Sequence, residues 1–194
     1  TPACIIKKCR SNNDNWMVYH HAGNQRSSPE DFYLEMNESG QRVDDSRMMN
    51  DTAPTSSVFS LRNDGSTNSS GRTYVAYCFA EVEGYSAFGG YTGNSSTNGT
   101  FINTGFRPAW ALVKKYNGGE NWQMRNTHME PFNVTADKVE PNLNGGGGGN
   151  TNGDRLDILS NGFKGRDGAG QFNDGHKYLY LAFAEHPYKT ARGR

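Results

Sequence analysis

An internal repeat constrains this chain more than any other feature of its sequence. Residues 2–16 align without a gap to residues 108–122, and five pairs are identical. Residues 59–81 align in the same way to residues 163–185, with seven identical pairs. The first alignment has an offset of 106 residues and the second an offset of 104, so the intervening segments are nearly equal in length. Two matched blocks in the same order indicate that one structural unit occurs twice.

The repeat predicts the domain organisation. A chain of 194 residues is long enough to bury a core of its own. We predict a single β domain over residues 1–194, with internal repeat one at 1–88 and internal repeat two at 89–194. A strand predicted at 100–106 has no counterpart ahead of the first repeat. We therefore expect a lead-in strand that is missing, disordered or donated by another chain, with an open edge beside residues 3–8.

Side-chain alternation predicts the fold class. The last strand of each repeat carries large apolar residues on one face, which we assign to the core. These residues are Val75, Tyr77 and Phe79 in the first copy and Leu179, Leu181 and Phe183 in the second. The opposite face is small and apolar, so we expect this strand to be central and covered on both sides. Short apolar runs separated by Gly, Asn and Ser predict an all-β domain, a β-sandwich or jelly-roll-like fold made of two duplicated antiparallel units, with a small barrel as the alternative.

Composition and charge exclude several classes of protein. The 20 basic and 20 acidic residues balance, so the basic footprint of a nucleic-acid-binding protein is absent. No stretch approaches the roughly 20 apolar residues that span a bilayer. Three cysteines are too few for a disulfide framework, and we expect Cys4 and Cys78 to be buried within strands. One helical turn is expected at Ser28-Pro29-Glu30-Asp31, and no long helix is predicted.

The polar residues form no recognisable catalytic or metal-binding pattern. His20 and His21 are adjacent, so on a strand they point to opposite faces and cannot share a metal ion. Glu81 and Glu185 are equivalent in the two copies, but no spacing singles out the carboxylate pair of a glycosidase. We therefore predict no catalytic residue, no metal ligand and no cofactor-binding residue, and we predict that the chain is not an enzyme.

Two sets of residues are candidates for contact with sugars. Trp16 and Trp122 are equivalent in the two repeats, which favours core packing over sugar stacking. A Gly- and Asn-rich segment near residue 147 is either a mobile surface loop or a host-facing loop that hydrogen-bonds glycans. The residues assigned to a host-facing loop are Asn142, Asn144, Asn150 and Asn152.

Several short runs together resemble a known family. They are residues 50–59, 74–81, 91–94, 105–110, 159–164 and 182–187. As a set, these runs resemble a domain of unknown function that recurs in virion proteins of marine and cyanobacterial bacteriophages. That domain often lies at the C-terminal end of tail-fibre-like chains. The resemblance covers nearly the whole chain, and it brings no catalytic residues.

The resemblance implies a function and a set of partners. The expected function is that of a structural phage component, a C-terminal tail-fibre or appendage module that attaches to host-surface glycans. The expected partners are further copies of the chain in a homo-oligomer, most often a trimer in fibres, together with other virion proteins and host-surface polysaccharide. Neither nucleic acid nor membrane is expected as a partner, and the location is the virion after assembly in the host cytoplasm. The alternatives are a polysaccharide depolymerase, either a glycoside hydrolase or a lyase, and a capsid decoration protein without a receptor.

Overall fold

The chain is built almost entirely from antiparallel β-strands. A computed structural model describes residues 1–143, 148–149, 155–168 and 170–187. The strands are β1 (Cys4–Cys9), β2 (Met17–His20), β3 (Phe32–Glu35), β4 (Val43–Asp44), β5 (Tyr74–Phe79), β6 (Ser86–Thr92), β7 (Phe101–Asn103), β8 (Pro108–Lys115), β9 (Gln123–Asn126), β10 (Asp137–Lys138), β11 (Gly148–Gly149), β12 (Leu156–Leu159), β13 (Gly162–Gly165) and β14 (Lys177–Ala184).

Helical structure in these described ranges is limited to two short turns. A 3₁₀ turn at Pro29–Asp31 lies where one helical turn was predicted, and α1 (Gly170–Asn173) precedes β14. No helix in the described part of the chain is long and apolar enough to cross a membrane.

The strands form three main sheets that stack in layers. The N-terminal sheet has the order β4-β3-β2-β1-β5, the central sheet β6-β14-β8-β9, and the outer sheet β12-β13-β7. Strands β10 and β11 form a separate pair. The central sheet is covered on both faces, which explains why β8 and β14 are apolar on both sides.

The two largest sheets contain the same strand arrangement. Strand β1 lies between β2 and β5, and β8 lies between β9 and β14. Cys4 is opposite Phe79, and the equivalent Trp110 is opposite Phe183. The β1–β2 and β8–β9 registers correspond in the same way under the offset of 106. Duplication of an ancestral unit stays a prediction, and these matched registers support it.

The main core lies between the N-terminal and central sheets. Its buried members are Ala3, Cys4, Val18, Leu34, Phe88, Leu112, Tyr116, Trp122, Leu179 and Leu181. Phe79 and Phe183, which are equivalent in the two repeats, meet edge to face with ring centroids 6.0 Å apart. Equivalent faces of the two units therefore pack against each other, and the predicted all-β sandwich is confirmed.

Two further cores cover the outer faces of this sandwich. The central and outer sheets enclose Ile102, Phe106, Ala111, Val113, Leu156, Ile158, Phe163, Phe172, Tyr178, Tyr180 and Ala182. On the other side of the molecule, Met48 and Met49 cover Ile5, Met17 and Tyr19 of the N-terminal sheet. The small face of β14 is therefore closely packed, as predicted.

Strand β5 departs from the prediction made for the last strand of each repeat. β14 is central, between β6 and β8, but β5 has β1 on one side and, in the part of the chain that the structure describes, no strand on the other. Tyr77 is 48% exposed, so its assignment to the core is wrong, whereas the equivalent Leu181 is buried. The predicted open edge beside residues 3–8 is also wrong, because β1 is paired on both sides. The open edge belongs to β5.

The cysteines of β1 and β5 also differ in exposure. All three are free; Cys4 and Cys9 are buried in β1, and Cys78 is exposed on β5. The prediction of a buried cysteine in a strand is thus confirmed for Cys4 and wrong for Cys78. Burial also raises the pKa of the Cys4 thiol well above its usual range, which keeps it protonated and unreactive.

Candidate functional site

A hollow beside Trp16 is the best candidate site for a ligand. It has a volume of about 190 Å³ and is lined by Trp16, Met36, Asn37 and Pro141. Trp16 directly precedes β2, and Met36 and Asn37 directly follow β3. These two strands are neighbours in the N-terminal sheet, so the residues that flank them at the same end come together. Pro141 comes from the second repeat and closes the hollow.

An asparagine holds the tryptophan backbone in place. The side-chain Oδ1 of Asn37 accepts the N–H of Trp16 at 2.8 Å, and its Nδ2 donates to Oδ1 of Asn15 at 2.8 Å. The N–H of Met36 donates to the carbonyl of Trp16 at 2.9 Å. Both sides of the hollow are therefore fixed by hydrogen bonds, so a ligand would meet a preformed surface.

The same pair of asparagine hydrogen bonds occurs in the second repeat at Trp122. Oδ1 of Asn142 accepts the N–H of Trp122 at 2.9 Å, and Nδ2 of Asn142 donates to Asn121 at 2.7 Å. Trp122 is fully buried, and its indole N–H donates to the carbonyl of Glu35 at 2.9 Å. Core packing was the favoured interpretation of both tryptophans, and for Trp122 it is confirmed.

Trp16 differs from its buried counterpart. Its side chain is only partly buried, and its indole N–H has no hydrogen-bond acceptor among the residues that the structure describes. An apolar ring face and a free N–H at one surface are the two features that a sugar ring requires, since its C–H face stacks and its hydroxyl groups hydrogen-bond. Asn37 in the lining is hydrogen-bonded to Asn15, and its Nδ2 contacts Oε1 of Glu38 at 3.3 Å, so amide and carboxylate groups lie beside the ring.

Asn142, the first residue assigned to the host-facing loop, lies next to this hollow. Asn142 follows Pro141 directly, but its side-chain amide bonds to Trp122 and Asn121. Asn142 therefore supports the structure and does not reach outward. Asn144, Asn150 and Asn152 lie outside the described residues. The role of these three in glycan contact stays a prediction. Sequence reasoning missed Met36, Asn37 and Pro141; the match between Asn37 and Asn142, 105 residues apart, was the available signal.

His20 connects the N-terminal sheet to the central sheet. Nδ1 of His20 accepts the N–H of Ala22 at 3.1 Å, so the ring proton lies on Nε2, which donates to the carbonyl of Tyr180 at 3.1 Å. Burial, with a smaller effect from neighbouring His21, lowers the pKa of His20 to about 3. His20 is therefore neutral, and the described residues contain no group of three His, Cys, Asp or Glu side chains placed to hold a metal ion.

A second hollow of about 510 Å³ lies near the N-terminus and is lined by two carboxylates and an imidazole. Its lining includes His21, Glu30 and Glu81. His21 bonds to the carbonyl of Phe88 at 3.0 Å, and Glu81 accepts the N–H of the same residue at 3.3 Å. Both polar groups thus secure β6. Glu185, the repeat equivalent of Glu81, forms an ion pair with Arg107 at 2.8 Å.

A family model described as a domain of unknown function, DUF7483, matches residues 1–187. The chain belongs to the DUF7483 family. No curated protein and no solved structure matches this DUF7483 chain. The family match confirms the resemblance to a domain of unknown function, and it includes all residues of the Trp16 hollow.

Proposed function

We propose that this DUF7483 domain is a structural component of a bacteriophage particle and that it attaches to host-surface glycans through the Trp16 hollow. The observation that carries the proposal is the partly exposed Trp16 ring, whose indole N–H has no acceptor among the described residues, in a preformed hollow bordered by amide and carboxylate groups. The place in a tail fibre or another appendage rests on the sequence runs that resemble virion domains. Attachment of this kind needs binding and no covalent chemistry.

The geometry supports weak binding at each site. The hollow is shallow and accommodates about one sugar ring, so it buries only part of a ligand. Weak contacts become strong when several copies bind one polysaccharide, because the second and later contacts form at a high effective concentration. An oligomeric appendage that carries several such hollows would therefore hold a cell surface firmly.

A binding experiment with two aromatic variants tests this function. The probe is an array of bacterial surface polysaccharides and their oligosaccharides, read with labelled protein. We expect wild type to bind a subset, Trp16→Ala to lose that binding, and Phe132→Ala to retain it. Phe132 is the matched control because it is an aromatic residue that is 80% exposed elsewhere on the surface. Equal binding by wild type and Trp16→Ala, or no binding by wild type, would overturn the proposal.

The same bound polysaccharides distinguish attachment from degradation. We expect no new reducing ends and no unsaturated sugar products after long incubation with wild type. Released oligosaccharides would contradict simple attachment and would favour depolymerase activity.

Antibody labelling of intact particles tests the third alternative. Signal at the tail or an appendage agrees with the proposal, and signal on the capsid surface alone favours a decoration protein.

A further inference from the structure

The outer edge of β5 has unsatisfied backbone groups. In the β1–β5 ladder the N–H of Arg10 donates to the carbonyl of Thr73, and the register continues without interruption. Because backbone groups alternate in direction along an antiparallel strand, the N–H and C=O groups of Ala76 and Cys78 point away from β1. Neither residue has a backbone hydrogen bond to any part of the described structure on that side.

The equivalent edge of the central sheet shows what fits there. Ala76 and Cys78 correspond to Tyr180 and Ala182 of β14, and both of those residues pair with β6. Strand β6 is antiparallel to β14 and extends along its whole length. The backbone of β5 has the same register to its inner neighbour as β14 has to β8, so the edge is shaped to take one more antiparallel strand.

Other strand edges in the described structure are short or already in use. Strand β4 has two residues, and β9 and β12 are bridged by Val139 and Thr135. On β6, His21 and Glu81 side chains occupy the backbone groups of Phe88. Strand β5 has six residues and contains no Lys, Arg, Asp, Glu or Pro, the residues that protect edge strands from pairing. It is therefore the best edge for pairing with another chain.

Charge at the two ends of β5 indicates the partner. Arg10, which is exposed, and Arg72, which also pairs with Asp14, flank the beginning of the strand. Glu81, which is exposed although one of its oxygens accepts the N–H of Phe88, and Glu83 follow its end. In an antiparallel pair related by a two-fold axis, the basic end of one copy lies against the acidic end of the other. We propose that β5 of one chain pairs with β5 of a second copy of the same chain, forming a continuous sheet across a two-fold dimer.

The exposed side chains of β5 suit this arrangement. With Tyr77 opposite its own counterpart, Ala76 of each copy lies opposite Cys78 of the other, and these pairs share about four main-chain hydrogen bonds. Ala76 and Cys78 are small and exposed on one face, so they leave room for the approaching strand. Tyr77, 48% exposed in the isolated chain, becomes part of an aromatic pair across the axis.

Solution mass with a proline variant tests the pairing. We expect wild type to reach twice its mass of 21.4 kDa in sedimentation equilibrium across a concentration series. Ala76→Pro removes an outward N–H without removing a β1–β5 bond, so it should raise the dimer dissociation constant about ten-fold or more. Phe101→Pro is the matched control, since Phe101 lies on β7, a strand paired with β13 alone, and it should leave the dimer intact. Far-UV circular dichroism checks that both variants fold.

Cross-linking through the exposed cysteine gives a second measurement. Cys4 and Cys9 are buried, so a short bis-maleimide should join two chains through Cys78 alone, and Cys78→Ser should abolish the product. A wild-type monomer, a trimer, or a dimer that Ala76→Pro leaves unchanged would overturn the proposal, and a monomer would assign the edge to a strand from a different protein. The readouts need no glycan, so this proposal and the glycan-binding function can fail independently.

Discussion

At the scale of single residues, Lys7 is the least expected side chain in the structure. It is 1% exposed, its Nζ has no hydrogen-bond partner among the described residues, and the ring centroid of Tyr74 lies 4.8 Å from Nζ. Burial lowers the pKa of Lys7 to about 8, and the charge of Asp64 offsets only part of that effect. The equivalent residue in the second repeat is Val113, so the position itself does not need an amine.

We predict that Lys7→Met stabilises the domain at pH 7 by about 1–3 kcal/mol, because it removes a buried and poorly paired charge. Unfolded Lys7 keeps its proton up to about pH 10.5, whereas folded Lys7 releases it near pH 8. Wild-type stability therefore rises between those values, and the advantage of the variant shrinks as pH increases. Urea unfolding of both proteins at pH 7 and pH 10 measures the difference. An advantage that stays constant with pH would contradict this account.

His20 links the two halves of the molecule and makes that link sensitive to acid. Its folded pKa of about 3 is far below its ordinary value of 6.5, so the unfolded chain binds a proton more readily. The contribution of neutral His20 is complete above about pH 6.5 and is lost as pH falls toward 3, which amounts to roughly 5 kcal/mol. We predict that His20→Gln loses less stability than wild type over this range in thermal unfolding. The exposed His128→Gln should follow the wild-type curve.

At the scale of secondary-structure elements, two matched asparagines bind the backbone just before β2 and β9, at Trp16 and Trp122. Asn37 and Asn142 make the same pair of bonds, but they act in different surroundings. Trp122 is buried, so its N–H would have no partner without Asn142, whereas water can reach the backbone near Trp16 more readily.

We predict that Asn142→Ala lowers the free energy of unfolding by about 1–3 kcal/mol, and that Asn37→Ala lowers it by less. Chemical denaturation of the two variants under one set of conditions gives the comparison. Asn142→Ala should also leave glycan binding per folded molecule unchanged, because its amide faces the core. A stable Asn142 variant that fails to bind glycans would instead place this residue at the host-facing surface.

Local sequence patterns predicted where the strands lie along the chain better than they predicted which strands are neighbours in a sheet. Alternation located β1, β5, β8 and β14, and the short helical turn followed from Ser28-Pro29. These are local properties of the chain. Whether β5 is central or at an edge depends on a strand that is distant in sequence or absent, and no pattern within Tyr74–Phe79 records it. β5 and β14 have similar sequences, but one lies at the edge of its sheet and the other at the centre.

At the scale of the whole molecule, the sandwich followed from the short apolar runs and the turn residues between them, but the candidate site did not. The Trp16 hollow needs residues from three separate segments, one of them in the other repeat. Equivalent tryptophans suggested equal burial, yet Trp122 packs in the core between the N-terminal and central sheets and donates to Glu35, whereas Trp16 is outside that core and only partly buried. A repeat predicts matching backbones, whereas burial depends on what each copy packs against.

This difference in surroundings gives a final prediction for the equivalent pair Leu181 and Tyr77. Leu181 is buried in the core shared by both sheets, so Leu181→Ala should cost about 2–5 kcal/mol through lost contacts and the cavity that remains. Tyr77→Ala should cost under about 1 kcal/mol in the dilute, monomeric chain, because the ring is half exposed on an edge strand. Denaturation at several protein concentrations separates the two effects, since pairing through β5 would make only the Tyr77→Ala cost grow with concentration. Equal costs at high dilution would mean that Tyr77 is buried as Leu181 is, and the assignment of β5 as an open edge would then be wrong.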